Sequence, residues 1–280
     1  MNTNDFKDIS YQKENNGLVT ILLNRPERRN AMSPYTFYEL FHAVDTFEKD
    51  DSAGAMLITG AVDPDKNDPT REAFSSGGYF NADALQGLPE GVQDEIDFND
   101  LAQKKLTIKM FRCYKPIIAA INGLAIGAGF TMPLATADLI YMSEYAWIRM
   151  PFTSLGIVCE LASSYLLPRY LGFQKAKDII YFARKITALE AADMGLVNEV
   201  IKHEELIPFA RERALDLIPP RGAGLAIRRI KRSMHESFID ILSGILDMEN
   251  EGLNECLKTN DFGEALTARI EKREPRFTGK

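Results

Sequence analysis

Ile117-Ile118-Ala119-Ala120-Ile121 is an apolar run with no polar alternation, entered through Lys115-Pro116 and left through Asn122-Gly123. A half-exposed strand alternates apolar and polar residues, whereas an uninterrupted run needs cover on both faces, so this one reads as a strand buried inside a sheet. Gly123-Leu124-Ala125-Ile126-Gly127-Ala128-Gly129 follows at once, then Phe130-Thr131-Met132-Pro133-Leu134-Ala135. The chain therefore leaves a buried strand through a glycine-rich turn and enters an apolar helix. Pro133 lacks an N–H, which predicts a helix starting just before it. The N–H groups of Ala128 and Gly129 would then project from a helix N-terminus, a place suited to negative charge. Close helix–strand packing would use the same glycines. A dinucleotide fingerprint has a different glycine spacing and needs an acidic residue after a following strand.

The rest of the chain supplies the same kinds of element. Ile9 to Lys13 and Leu18 to Asn24 read as a hairpin turning at Asn15-Asn16-Gly17. Ser33 is a predicted N-cap with Pro34 in the first helical position, and Phe37, Leu40, Phe41, Val44 and Phe47 give that helix an apolar stripe ending near Lys49. Ala55 to Thr59 is the next strand; Leu139 to Met142 and Ala146 to Met150 read as a strand pair across a short turn. Thr187 and Glu190 make a capping box, Gly195 closes that helix, and Leu196 to Ile201 is a strand. Residues 62–72 read as an exposed loop, and residues 86–100 as a polar, poorly patterned segment. From Ala210 onward the pattern is helical, with Phe238, Ile241, Leu242, Ile245 and Met248 on one face. Strands followed by a helix recur near residues 9–49, 55–112 and 117–140, which predicts an α/β stack of ββα units with a helical C-terminal region. The apolar surplus of that region predicts contact between subunits.

Composition narrows the function classes. A chain of 280 residues with 45% hydrophobic and 26% charged residues fits one large domain, or a core with a helical appendage. A net charge of −7 argues against a general nucleic-acid binder. The cluster Arg221, Arg228, Arg229, Lys231 and Arg232 reads as a solvated helix face or a contact for phosphates. No apolar run approaches the ~20 residues of a membrane span. The polar start Met1-Asn2-Thr3-Asn4 resembles neither a signal nor a transit peptide, Thr278-Gly279-Lys280 is no peroxisomal tripeptide, and the expected location is the cytoplasm. Cys113, Cys159 and Cys256 have no pairing or metal spacing, and His42, His203 and His235 lie in separate segments, so a metal centre or a His-based triad is not expected. Carboxylates and backbone dipoles remain as catalytic equipment.

Two further segments bear on chemistry. Phe74-Ser75-Ser76-Gly77-Gly78-Tyr79 either turns tightly or exposes backbone N–H groups to a ligand. Glu160 is a lone acid in the small and apolar run from Leu155 to Ala162. It is either a surface acid near a helix N-terminus or a desolvated carboxylate with a pKa raised towards that of a general base.

In combination these segments resemble the crotonase (enoyl-CoA hydratase/isomerase) superfamily over nearly the full chain. Leu23-Asn24-Arg25-Pro26 with Asn30-Ala31-Met32 is similar to its N-terminal signature, Lys115 to Gly123 to its central strand, and Glu271-Lys272-Arg273-Glu274-Pro275-Arg276-Phe277 to its C-terminal tail. The resemblance implies a crotonase-like spiral of ββα units at residues 1–205, and a helical region at 206–280 that forms a homotrimer or hexamer and part of the CoA pocket. It implies an acyl-CoA thioester substrate and no separate cofactor, because coenzyme A is part of the substrate. The N–H groups of Gly78 and Ala128 would hold the thioester oxygen, where fixed dipoles stabilise an enolate. Arg25, Ser76, Tyr79, Gly127, Thr131 and Phe152 would line the substrate side.

Hydratases of the superfamily use two glutamates to activate water, and the matching positions here are Thr131 and Phe152, neither of which can take a proton from water. Glu160, four residues past Gly156 and before Ser163-Ser164-Tyr165, resembles the proton-shuttling acid of peroxisomal-type Δ3,Δ2-enoyl-CoA isomerases. The sequence therefore points to an isomerase with Glu160 as acid and base. Hydration, a thioesterase or dehalogenase activity, and an inactive acyl-CoA- or RNA-binding homologue are the alternatives.

Overall fold

A computed structural model describes residues 1–65, 68–79 and 101–280. The polar segment at 86–100 lies outside the described residues.

Six strands form the larger sheet, in the order β1 (Ile9–Lys13), β2 (Leu18–Leu23), β3 (Ala55–Gly60), β5 (Ile117–Ile121), β7 (Leu139–Ser143) and β10 (Glu199–Ile201). β1 and β2 are the expected antiparallel hairpin, with Gly17 at φ 90° in its turn, and the remaining pairings are parallel. All of β3 and β5 is buried, as the uninterrupted apolar run requires. Side-chain alternation then makes two cores. Met56, Ile58, Ile117, Ala119 and Ile121 face the larger one, with Ile21, Leu23 and Phe47. Leu57, Ile118, Ala120 and Tyr141 face the other, closed by Leu206, Ala210 and Ala214 of α7 (Leu206–Leu215). That helix covers one face of the sheet.

The smaller sheet runs β4 (Ala73–Ser75), β6 (Leu124–Ile126), β8 (Trp147–Arg149) and β9 (Ile186–Thr187). Each central strand of the large sheet hands the chain to this one: β3 to β4, β5 to β6, β7 to β8. These are the coils of the expected spiral, and they correct one expectation. β7 and β8 do not pair with each other. The turn at Ser143–Ala146, closed by the Ala146 N–H donating to the Ser143 carbonyl at 2.9 Å, passes the chain between sheets.

Local signals place most helices. Ser33 caps α1 (Pro34–Lys49) in a reciprocal box with Thr36, and Thr187 with Glu190 caps α6 (Ala188–Asp193). α2 (Thr107–Arg112) precedes β5; α3 (Ala128–Thr136), α4 (Ser163–Leu171) and α5 (Phe173–Phe182) complete the core, and α8 (Gly224–His235), α9 (Ile239–Cys256) and α10 (Asn260–Glu271) follow α7. Two boundaries differ from expectation. α3 starts at Ala128, five residues before Pro133, so the proline sits in the helix interior. The last strand is only Glu199–Ile201, because Leu196 and Val197 are taken into the large core.

The stripe on α9 is divided. Leu242 and Leu246 are buried, while Phe238, Ile241 and Met248 are exposed on this chain. In the basic cluster Lys231 is buried against Asp138 at 2.7 Å, Arg221 pairs with Glu212 and Asp216, and Arg232 with Glu236, so it is not a uniformly solvated face. No helix among the described residues is long and apolar enough to cross a membrane.

Candidate active site

The spiral brings the two glycine segments together. Gly77, at φ 89°, packs so closely on β6 that a Cβ there would lie 2.4 Å from the Ile126 carbonyl oxygen. Gly129 is equally tight against the Ser75 carbonyl, at 2.4 Å. The glycines are therefore required by backbone approach, and that approach sets Gly78 beside the Gly127–Ala128 turn. Gly78 is fixed from its other side by Met32, whose N–H donates to the Gly77 carbonyl at 2.8 Å and whose carbonyl accepts from Tyr79 N–H at 2.9 Å. Neither bond uses the Gly78 N–H. Gly127, at φ 51°, caps α3, and its carbonyl accepts from Phe130 and Thr131 N–H. The Ala128 N–H belongs to the first turn, where intrahelical partners are lacking.

Glu160 completes this corner. Its Oε1 would be 3.3 Å from a Cβ on Gly127, and the Ala128 N–H faces its carboxylate. Glu160 keeps partial exposure. Burial raises its pKa from the ordinary carboxylate value to about 7, the negative charge of Glu249 adds to the rise, and the Ala128 N–H opposes it. An acid at that value is poised to accept and return a proton near neutral pH.

The loop carrying Glu160 is strained. Leu161 and Ala162 both adopt left-handed backbone conformations, at φ 55° and 61°. For residues with a Cβ each costs roughly 1–2 kcal/mol. Side chains from two other helical segments hold them: Gln103 Oε1 accepts from Leu161 N–H at 2.9 Å, and Glu249 Oε2 accepts from Ala162 N–H at 2.7 Å. Sequence reasoning missed both residues. Glu249 did carry a signal, since it continues the Leu242, Ile245, Leu246 spacing as an acid in an apolar stripe.

The remaining expected residues divide into two groups. Arg25 and Tyr79 are together, the guanidinium 5.2 Å from the ring centroid, with Arg28 at 4.8 Å from the same ring. Ser76 lies alongside, its hydroxyl 3.3 Å from the Arg28 carbonyl. Thr131 and Phe152 are both buried in the protein. The Thr131 hydroxyl donates to the Gly127 carbonyl at 3.2 Å, one turn back in its own helix. Neither position offers an acid to the corner. Among the described residues no group of three or more His, Cys, Asp or Glu side chains is arranged to hold a metal ion.

Known proteins share this architecture and sequence. The sequence profile described as enoyl-CoA hydratase/isomerase matches residues 13–280. A probable enoyl-CoA hydratase of Rhodobacter capsulatus is 32% identical over 94% of this chain and 95% of its own. The 1,2-epoxyphenylacetyl-CoA isomerase of Escherichia coli K12 is 29% identical over 94% of this chain and 96% of its own. The crystal structure of an enoyl-CoA hydratase/isomerase from Pseudoalteromonas atlantica T6c superposes with a TM-score of 0.81 at 28% identity, covering 97% of this chain and all of that one. These names span hydratase and isomerase chemistry, so what they share is the family and not one reaction. This chain belongs to the enoyl-CoA hydratase/isomerase family.

Proposed function

We propose that the protein moves the double bond of a 3-enoyl-CoA to the 2 position, with Glu160 as the single acid–base group. The family accounts for enolate chemistry on an acyl-CoA; the reaction must be argued from the site. The observation that carries the proposal is the Glu160 carboxylate, with its pKa raised to about 7, lying against the Gly127–Ala128 turn. In the proposed reaction Glu160 takes the proton from C2, and the C–H electron pair moves into the dienolate. Negative charge builds on the thioester oxygen, held by the N–H groups of Gly78 and Ala128. Glu160 then returns the proton to C4 and the double bond settles between C2 and C3. The step is redox-neutral, and the proposal requires no cofactor beyond the CoA of the substrate.

One feature of the corner favours this sequence of events. The Ala128 N–H now faces Glu160 and lowers its pKa. A thioester carbonyl taking over that N–H would remove a contact stabilising the carboxylate, so substrate binding would make Glu160 the stronger base.

Hydration is the second reading, favoured by the name of the Rhodobacter capsulatus relative. It would need a second group to activate water, and Thr131 and Phe152 supply none. The test is a coupled assay of the purified protein against 3-enoyl-CoA and crotonyl-CoA of matched chain length. Faster isomerisation than hydration supports the proposal; hydration as the dominant activity overturns it.

A further inference from the structure

Glu249 stands far from Glu160 in sequence, on α9, yet it is buried against the loop that carries the proposed base. Its two carboxylate oxygens collect three donors from consecutive parts of that loop. Oε2 accepts from the Ala162 N–H at 2.7 Å, and Oε1 accepts from the Ser164 N–H at 3.0 Å and from the Ser164 hydroxyl. Ala162 is one of the two left-handed residues that immediately follow Glu160.

The loop has local reasons to relax. Two successive non-glycine residues in the left-handed region are disfavoured by their own Cβ atoms. α4 begins at Ser163, and no side chain of Ala162 can cap it. Without Glu249, the Ala162 and Ser164 N–H groups would lose their acceptor, and Ala162 the contact that holds it left-handed. Glu160 is attached directly to that backbone: its carbonyl accepts from the Ser163 N–H at 3.0 Å and from the Ser163 hydroxyl at 2.6 Å. A rotation at residues 161–162 therefore displaces Glu160 from the Gly127–Ala128 turn.

We propose that Glu249 is a positioning residue for proton transfer, acting from α9 to hold the Leu161–Ala162 backbone left-handed and so keep the Glu160 carboxylate at the Gly127–Ala128 turn. This rests on Glu160 being the base. The residue type follows from the donor count. A carboxylate accepts from both N–H groups and the hydroxyl, whereas an amide has one acceptor oxygen and must set its NH2 against one of the two backbone donors. An apolar side chain would leave the buried Ala162 N–H without a partner and take the acceptor from the Ser164 N–H and hydroxyl. α9 is otherwise anchored by packing of Leu242 and Leu246 with Phe111 and Ala162, so Glu249 is not what attaches the helix.

The test compares Glu249→Ala and Glu249→Gln with Glu160→Gln and a packing control, Leu242→Val, in steady-state isomerisation of a 3-enoyl-CoA together with thermal melting. Displacement of a reacting group by about 1 Å can cost ~10²-fold in rate. Glu249→Ala is expected to lower kcat by roughly 10- to 100-fold with KM within about threefold, the pattern of a lost transition-state interaction. Glu249→Gln, which keeps one of the two backbone bonds and the side-chain volume, is expected to fall between wild type and Ala. It supplies the reading if the Ala variant does not fold. Leu242→Val should lower the melting temperature and leave kcat near wild type. Wild-type kcat in both Glu249 variants, or a kcat loss matched by Leu242→Val at equal loss of melting temperature, overturns the proposal. Wild-type turnover by Glu160→Gln would instead bring down the base assignment, and the role of Glu249 with it.

Discussion

The side-chain amide of Asn30 donates to the Ala73 carbonyl at 2.8 Å and to the Ala61 carbonyl at 2.9 Å, tying the N-terminal segment to the strand that leads into Gly78. The strap is reciprocal, because the Ser75 hydroxyl donates to the Asn30 carbonyl at 2.7 Å and the Asn30 Oδ1 accepts from Arg25 N–H at 3.0 Å. Asn30 is nearly inaccessible, at 2% exposure, so these groups have no water to fall back on. It also holds a left-handed backbone conformation, φ 53°, which asparagine tolerates better than most residues.

Asn30→Ala is therefore expected to destabilise the fold by about 2–4 kcal/mol, through two carbonyls left unpaired and a left-handed alanine. Asn30→Asp keeps the shape and removes the two donors. It should be at least as harmful as Ala, since a carboxylate would then face the Ala61 and Ala73 carbonyls. Denaturant unfolding of both variants checks the order.

Gly77→Ala is expected to be worse for the site than its size suggests. The added methyl would meet the Ile126 carbonyl oxygen at 2.4 Å, and φ 89° is unfavourable for any residue with a Cβ. The strand must withdraw from β6, carrying Gly78 away from Ala128. A loss of about 2–4 kcal/mol in stability should accompany a fall in kcat in any fraction that still folds. Retention of wild-type kcat by a folded Gly77→Ala variant would show that Gly78 does not serve the reaction.

The pH dependence of the free enzyme should report Glu160. Its pKa is raised to about 7, and the base must be ionised to take the C2 proton. The logarithm of kcat/KM is expected to rise with slope one below about pH 7 and to level off above it. A carboxylate at its ordinary value would put that bend near pH 4–5 instead. A bend there would mean that burial and Glu249 do not act on Glu160 as the structure has them.

The exposed apolar side chains of the last helices lead to an assembly prediction. Leu225, Ile230 and Met234 on α8, and Ile241 and Met248 on α9, are each at least 45% exposed on this chain. Five large apolar side chains on two adjacent helices are more than an isolated surface normally leaves uncovered. A homotrimer or hexamer is expected, and light scattering that gives the monomer mass at micromolar concentration would remove it.

What the sequence made legible was whatever depends on neighbouring residues. The Asn15-Asn16-Gly17 turn, the Ser33 and Thr187 caps and the all-apolar strand Ile117–Ile121 follow from local backbone preference and from whether one or two faces must be covered. Assignment of strands to sheets was not legible, because β7 and β8 look like a hairpin locally and are separated only by the coiling of the spiral. Glu160 stood out as an acid in an apolar run. The groups that hold its loop, Gln103 and Glu249, reach it from 57 and 89 residues away in the sequence. No periodicity connects such positions; packing of α9 on α4 brings Glu249 to the loop, and Gln103 reaches it from the helical turn at Leu101–Leu106. Lys231 shows the opposite error, where a helix rich in arginine hid one lysine turned inward to Asp138.

Glu160→Gln is expected to abolish proton transfer while leaving ligand binding largely intact. Gln keeps the volume and one acceptor oxygen, so the Ala128 N–H retains a partner and the loop retains its packing. Its amide has no basicity at neutral pH, so the C2 proton has no acceptor. Loss of a general base costs roughly 10²–10⁴-fold, and more where no water can stand in. Glu249 sharpens the expectation, because its charge raises the pKa of Glu160 and would be relieved by a neutral Gln beside it. The variant should thus fold at least as well as wild type above about pH 7, where Glu160 would otherwise be ionised in a buried site. The decisive measurement is exchange of the C2 proton of a 3-enoyl-CoA into deuterated water, run beside a direct binding titration. Normal binding with exchange lost identifies Glu160 as the group that moves the proton. Normal binding with wild-type exchange would make it a structural acid and leave the isomerase proposal without its base.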